Sequence, residues 1–343
     1  MIEAKEFMRL ADGTTVTEYF LTNANGFGVK VIDWGAAMTA LYVPDGREAL
    51  RDVVLGYRAP EDYLANGNYF GCVVGRLANR LKGGRLTLDG KPYCFETNDH
   101  GNLLHSGASS YSRRLWSSRI VQIPDGQALE LTLESPDGDG GFPGKLALRL
   151  LYCVTAEDVV ELEYSACCEA PTVLNLTNHC YFNLNGAGSG NILSHEFLVN
   201  AERRTVVDSE LIPTGELREV AGSAYDLRTS RRFGDCLEAL PAGFDDNFVL
   251  NGEGLRLAAA AYAPESGIEM SCFTTEPGIQ FYTGYFLDGL AVGKQDARYR
   301  RFDGFCFEAQ HFPDSPNHPE FPSVVLRPGE TYRQKTQYRF AIR

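Results

Sequence analysis

The chain has 343 residues, enough for a large core, and its 44% hydrophobic and 22% charged content is that of a globular protein rather than a disordered or fibrous one. A surplus of 45 acidic over 32 basic residues gives a formal charge of −13, which disfavours nucleic-acid backbones and anionic lipid as partners. Uncharged apolar runs such as Leu257–Ala263 fall far short of the ~20 residues of a membrane span, and Met1–Phe7 lacks the basic-then-apolar order of a secretory signal, so a cytoplasmic protein is expected.

The nine cysteines form an odd set with no C-x-x-C pair, which reads as reduced thiols rather than a disulfide framework or a metal site. Adjacent Cys167 and Cys168 would point to opposite faces of any strand.

In chain order, Pro60–Ala65 predicts a short helix, and Gly75-Arg-Leu-Ala-Asn-Arg80 follows with two arginines and an asparagine. Its glycine spacing fits neither a dinucleotide nor a phosphate loop, so no nucleotide cofactor is expected. Arginine and asparagine fork well onto vicinal hydroxyls, or make surface ion pairs. His105 lies in Asn102-Leu-Leu-His-Ser-Gly107.

Period-two alternation then runs through Leu129–Leu133, Leu146–Leu150 and Val160–Tyr164, separated by the turn clusters Ile123–Gly126 and Ser135–Gly141. These predict half-buried antiparallel strands. Asn175, Thr177, Asn178, His179 and Asn183 are set among Leu176, Tyr181, Phe182 and Leu184, and burying so many polar groups is costly unless partners or a ligand satisfy them. A hydrogen-bonded turn or sheet end would do so equally.

Arg231–Ala239 predicts a second short helix, and Gly243-Phe-Asp-Asp-Asn-Phe-Val249 sets Asp245 and Asp246 beside aromatics. Glu308 follows the apolar run Phe305–Phe307, where desolvation would raise its pKa and suit it to act as a base near neutral pH. A strand-end pairing with arginine is the plain alternative. No repeat or linker divides the chain, and a single all-β domain of antiparallel sheets over 1–343 is expected.

Taken in order, these segments resemble the aldose 1-epimerase (galactose mutarotase) family. The likeness is carried by Asp52-Val-Val-Leu-Gly-Tyr57, Gly75–Arg80, Leu104-His105, Asp139-Gly-Gly-Phe-Pro-Gly144, Asn175-Leu-Thr-Asn-His179, Gly243-Phe-Asp245, Thr275–Gly284, Phe307-Glu308 and Leu326–Tyr332. The resemblance implies a β-supersandwich and a mechanism without metal or coenzyme. It makes Glu308 the base that takes the C1 hydroxyl proton, His179 the acid at the ring oxygen and His105 its assistant. Asn79, Arg80, Tyr181, Asp245 and Gln280 would hold the remaining hydroxyls of a small aldose bound by a monomer or homodimer. Ser106, Cys180, Asp246, Tyr285 and Ala309 depart from the family's usual residues, and Asp246 and Tyr285 are expected to border the sugar.

Three other readings use the same residues. A sugar-phosphate epimerase of this fold would recruit Arg76, Arg80 and Arg85 as a phosphate cradle, against the acidic overall charge. A non-catalytic sugar sensor would retain the binding groups alone. A glycosidase built on Asp245 and Glu308 leaves both histidines without a role.

Overall fold

The computed structural model describes residues 1–47 and 49–343. The largest sheet has nine strands, in the order Ser117–Ile123, Gly126–Ser135, Leu146–Val154, Val159–Cys168, Tyr332–Ile342, Ile268–Thr274, Arg256–Tyr262, Glu196–Val199 and Arg231–Arg232. Every pairing is antiparallel, and the C-terminal strand Tyr332–Ile342 sits between strands from both halves of the chain. Two five-stranded sheets accompany it, one built from the first 52 residues and one containing Ala201–Val207, Asp245–Leu250, Gly278–Tyr282 and Cys306–Gln310.

The alternating sequences form strands for the expected reason. Leu131 pairs with Leu150 and Leu150 with Tyr164, so the apolar sets of three strands share one buried face. Each such leucine contributes about 1.5–3 kcal/mol through burial. Ile123 pairs directly with Gly126, making Pro124-Asp125 a two-residue reversal. Cys167 is exposed and Cys168 buried, as a two-residue period requires, and all nine cysteines are free thiols.

Helix is scarce. The first predicted helix is one turn, Asp62–Ala65, closed by Asn66 in the left-handed region (φ 38°). The second is corrected: Arg231–Arg232 joins the large sheet and only Phe233–Cys236 coils, as a 3-10 turn. Pairing with Glu196–Val199 outweighs a helical preference too short to nucleate. Among the described residues, no helix is long and apolar enough to cross a membrane.

Candidate active site

Three neighbouring strands make the floor of the site. Their register aligns Asp245 with Tyr282 and Cys306, and Asn247 with Gln280 and Glu308. Phe248, Phe281 and Phe307 take the alternate positions and pack in the core. This alternation puts Cys306, Glu308 and Gln310 on one side of their strand and Phe307 and Ala309 on the other.

The polar segment 175–183 supports both readings at once. Asn175 donates to the His311 carbonyl at 3.1 Å and accepts from the His311 amide at 2.9 Å, locking this segment to the end of the Glu308 strand. Asn178 donates to the Gly71 carbonyl at 3.0 Å, and Asn183 to the carbonyls of Gly190 and Asp303 at 2.7 and 3.0 Å. The asparagines are thus connectors. His179 is pinned by its backbone, which donates to Cys72 O at 2.8 Å and accepts from Gly71 N at 3.0 Å.

His105 enters from the opposite wall on a tight turn, with φ values of 51° at His105 and 62° at Ser106. Ser106 stands at a left-handed position suited to glycine, and its hydroxyl compensates by accepting from Leu77 N at 2.8 Å. The Asn79 amide donates to Nδ1 of His105 at 3.1 Å. Nδ1 is therefore an acceptor, and Nε2 carries the ring hydrogen.

A cavity of about 590 Å³ opens between these elements, and Asn79, Arg80, His105, His179, Tyr181, Asp245 and Glu308 all lie on its wall. Gln280 stands one layer back, donating to Asp245 Oδ1 at 2.7 Å. Nε2 of His179 lies 3.6 Å from Oε2 of Glu308, with both side chains almost wholly buried. Arg80 donates to Asp99 Oδ2 at 2.8 Å, so its charge is already paired.

Burial dominates the electrostatics. It lifts the Glu308 carboxyl well above the usual carboxylate range, helped by the Asp245 charge and opposed by Arg80. It lowers the His179 imidazole to about 4, and holds His105 well below its ordinary value with His179 and Arg80 adding to the effect. Burial also raises Asp245, against Arg80 and the Gln280 hydrogen bond. The arrangement favours one proton shared by His179 and Glu308 over two separate charges.

Ligating atoms of His105, His179 and Glu308 lie within 4.8 Å of one another, close enough to suggest a cation site. The His105 tautomer opposes it, because a hydrogen-bearing Nε2 has no lone pair to offer a metal.

Two expectations are corrected. Asp246 faces away from the cavity, its carboxylate accepting from Arg204 at 3.0 Å while the guanidinium lies 3.7 Å over the Tyr225 ring. Tyr285 is also off the wall, covered by Arg301 at 3.8 Å and meeting Phe286 edge-on at 5.3 Å; Phe286 is the ring that reaches the cavity. A phosphate cradle likewise fails to form. Arg76 is 1% exposed and donates to Pro143 O, Gly144 O, Thr172 Oγ1 and Ser135 Oγ, while Arg85 lies off the wall.

The wall also contains Tyr69, Asp99, Glu210, Tyr282 and Phe286, which sequence reasoning did not single out. Nothing in the sequence distinguishes Tyr69 from its neighbour Phe70, and only the fold turns one of them to the cavity. Asp99 lies in the polar turn it forms with Asn102, shortly before His105, and that local polarity is its mark in the sequence.

Residues 17–339 match the family model described as aldose 1-epimerase. The chain belongs to the aldose 1-epimerase family. It is 42% identical over 332 residues to the galactose mutarotase of Bos taurus, covering 96% of each chain. It is 40% identical over 338 residues to that of Homo sapiens, covering 98% of this chain and 97% of the relative. The crystal structure of galactose 1-epimerase from Lactobacillus acidophilus NCFM superposes with a TM-score of 0.88 at 27% identity, covering 100% of this chain and 99% of the other. As an aldose 1-epimerase family member the chain is an isomerase with the family's galactose mutarotase fold of antiparallel sheets, as its sequence led one to expect.

Proposed function

We propose that this enzyme interconverts the α and β anomers of a free neutral aldohexose, galactose or glucose, by acid and base catalysed ring opening. The observation that carries this reading is a histidine and a glutamate 3.6 Å apart on the wall of a cavity otherwise supplied with hydroxyl-binding groups. That spacing suits the ring oxygen and C1 hydroxyl of a hemiacetal, two oxygens joined through one carbon.

With Glu308 ionised and His179 protonated, the carboxylate takes the C1 hydroxyl proton. The bond from C1 to the ring oxygen breaks, its electrons go to that oxygen, and His179 supplies the oxygen with a proton. Rotation about C1–C2 turns the aldehyde over. The hydroxyl then attacks the other carbonyl face, returning its proton to His179 while Glu308 protonates the carbonyl oxygen. Each group ends in its starting state, and positioned groups of this kind contribute about 100-fold to 10,000-fold.

The Nε2 hydrogen of His105 is available to the ring oxygen, and Asn79, Arg80, Tyr181 and Asp245 are available to the other hydroxyls. Gln280 acts through Asp245. The nine free thiols support a cytoplasmic setting.

The test is polarimetric. Fresh α-D-galactose and α-D-glucose are followed with wild type, Glu308→Gln and His179→Asn. Accelerated relaxation by wild type, lost in both variants, supports the reading. Sugar binding without acceleration would instead support a sensor.

A further inference from the structure

One cavity residue touches both histidines. The Tyr69 ring centroid lies 4.7 Å from that of His105 and 5.7 Å from that of His179, tilted 29° from the latter. Tyr181 packs on the same imidazole at 5.2 Å and 32°. Two tyrosine rings thus neighbour the His179 imidazole, inclined to it by 29° and 32°.

The backbone makes this arrangement stiff. Tyr69 is held at φ 58°, a conformation unusual for a bulky residue. Its amide donates to Asn66 O at 2.9 Å, and its carbonyl accepts from the Cys72 amide at 3.4 Å. Gly71 and Cys72, two and three residues further on, exchange hydrogen bonds with the His179 backbone. The ring and the imidazole therefore sit on segments tied directly together.

The chemistry asks for such a device. Burial favours neutral His179, whereas the proposed step needs its protonated form. Of the groups facing this imidazole, Glu308 and Cys306 come from one strand, the latter with Sγ 3.8 Å from Nδ1. His105 meets it edge-on at 5.3 Å, while Arg80 and Asp245 bear on its neighbours from farther away. An aromatic face attracts a cation without offering a competing proton site or admitting water.

We propose that Tyr69 is a positioning residue for the proton transfer: together with Tyr181, its ring holds the His179 imidazole with Nε2 towards Glu308 and stabilises its protonated form. This rests on the mutarotase reading.

The test keeps the shape of the ring and changes its electron density. Tyr69→Phe, and the same phenylalanine carrying one, two or three ring fluorines, are placed in the full chain. The kcat and KM for galactose are measured against pH, and His179 is titrated by nitrogen NMR in the sugar-free enzyme. Relative to Tyr69→Phe, successive fluorines should lower kcat by up to about tenfold with KM unchanged. The His179 midpoint should fall in step.

A flat series in kcat and in the titration overturns the proposal. So does a series that moves KM alone, since the ring would then merely pack against sugar. Wild type without turnover, but with a His179 midpoint that tracks fluorination, would strike the mutarotase reading and still support this effect of Tyr69 on His179.

Discussion

Nε2 of His179 stands 3.6 Å from Oε2 of Glu308, and burial pushes the two groups in opposite directions, the histidine down to about 4 and the carboxyl well up. One proton on the pair is the active count, so kcat/KM should fall below about pH 4 and again above the raised upper limb. The Asp245 charge helps to raise Glu308, so Asp245→Asn should move the upper limb to lower pH. A polarimetric pH profile with an unmoved upper limb would contradict the assignment.

Gln280 is expected to act on binding rather than chemistry. Its amide donates to Asp245 at 2.7 Å from behind the cavity wall. Gln280→Leu removes that donor at a cost of about 1–2 kcal/mol, which corresponds to a KM increase of about 5-fold to 30-fold. Rate measurements over a range of galactose concentrations should show KM rising with kcat nearly constant. A collapse of kcat would place Gln280 at the reacting atoms instead.

The ion pair of Arg204 with Asp246, 3.0 Å apart and with side chains 10% and 8% exposed, belongs to stability. Arg204→Met leaves a buried carboxylate alone and should cost about 3–5 kcal/mol in urea unfolding. Because Asp246 faces away from the cavity, the KM of the folded variant should match wild type.

Acid sensitivity should trace to a histidine outside the site. His195 is wholly buried, accepts from the Leu184 amide at 3.1 Å, and is lowered by burial to about 3. Its folded value lies below the unfolded ~6.5, so the unfolded chain takes up the proton first and stability drops as pH falls through that interval. Relative to His195→Asn, wild type should lose about 1.4 kcal/mol per pH unit from ~6.5 down to about 3. Urea midpoints at several pH values measure this difference, and parallel curves would refute it.

Much of this protein can be read locally. Alternation along residues 129–164 determines strands because a pleated chain has a period of two, and a one-residue slip would exchange core for solvent. The concentration of polar and titratable groups around Arg80, His105, His179, Asp245 and Glu308 was visible because such groups are costly to bury without purpose. The order of these segments was enough to indicate the family.

Facing and distance were decided only in three dimensions. Adjacent Asp245 and Asp246 look alike in sequence, yet the pleat sends one to the cavity and the other to Arg204. Arg76 and Arg80 look like a pair, but one pins buried loops and the other lines the site. Tyr69 carries no local mark at all. Its place beside two histidines arises from contacts between segments 36 and 110 residues apart, and local periodicity holds no information about which distant segments the folded core brings together.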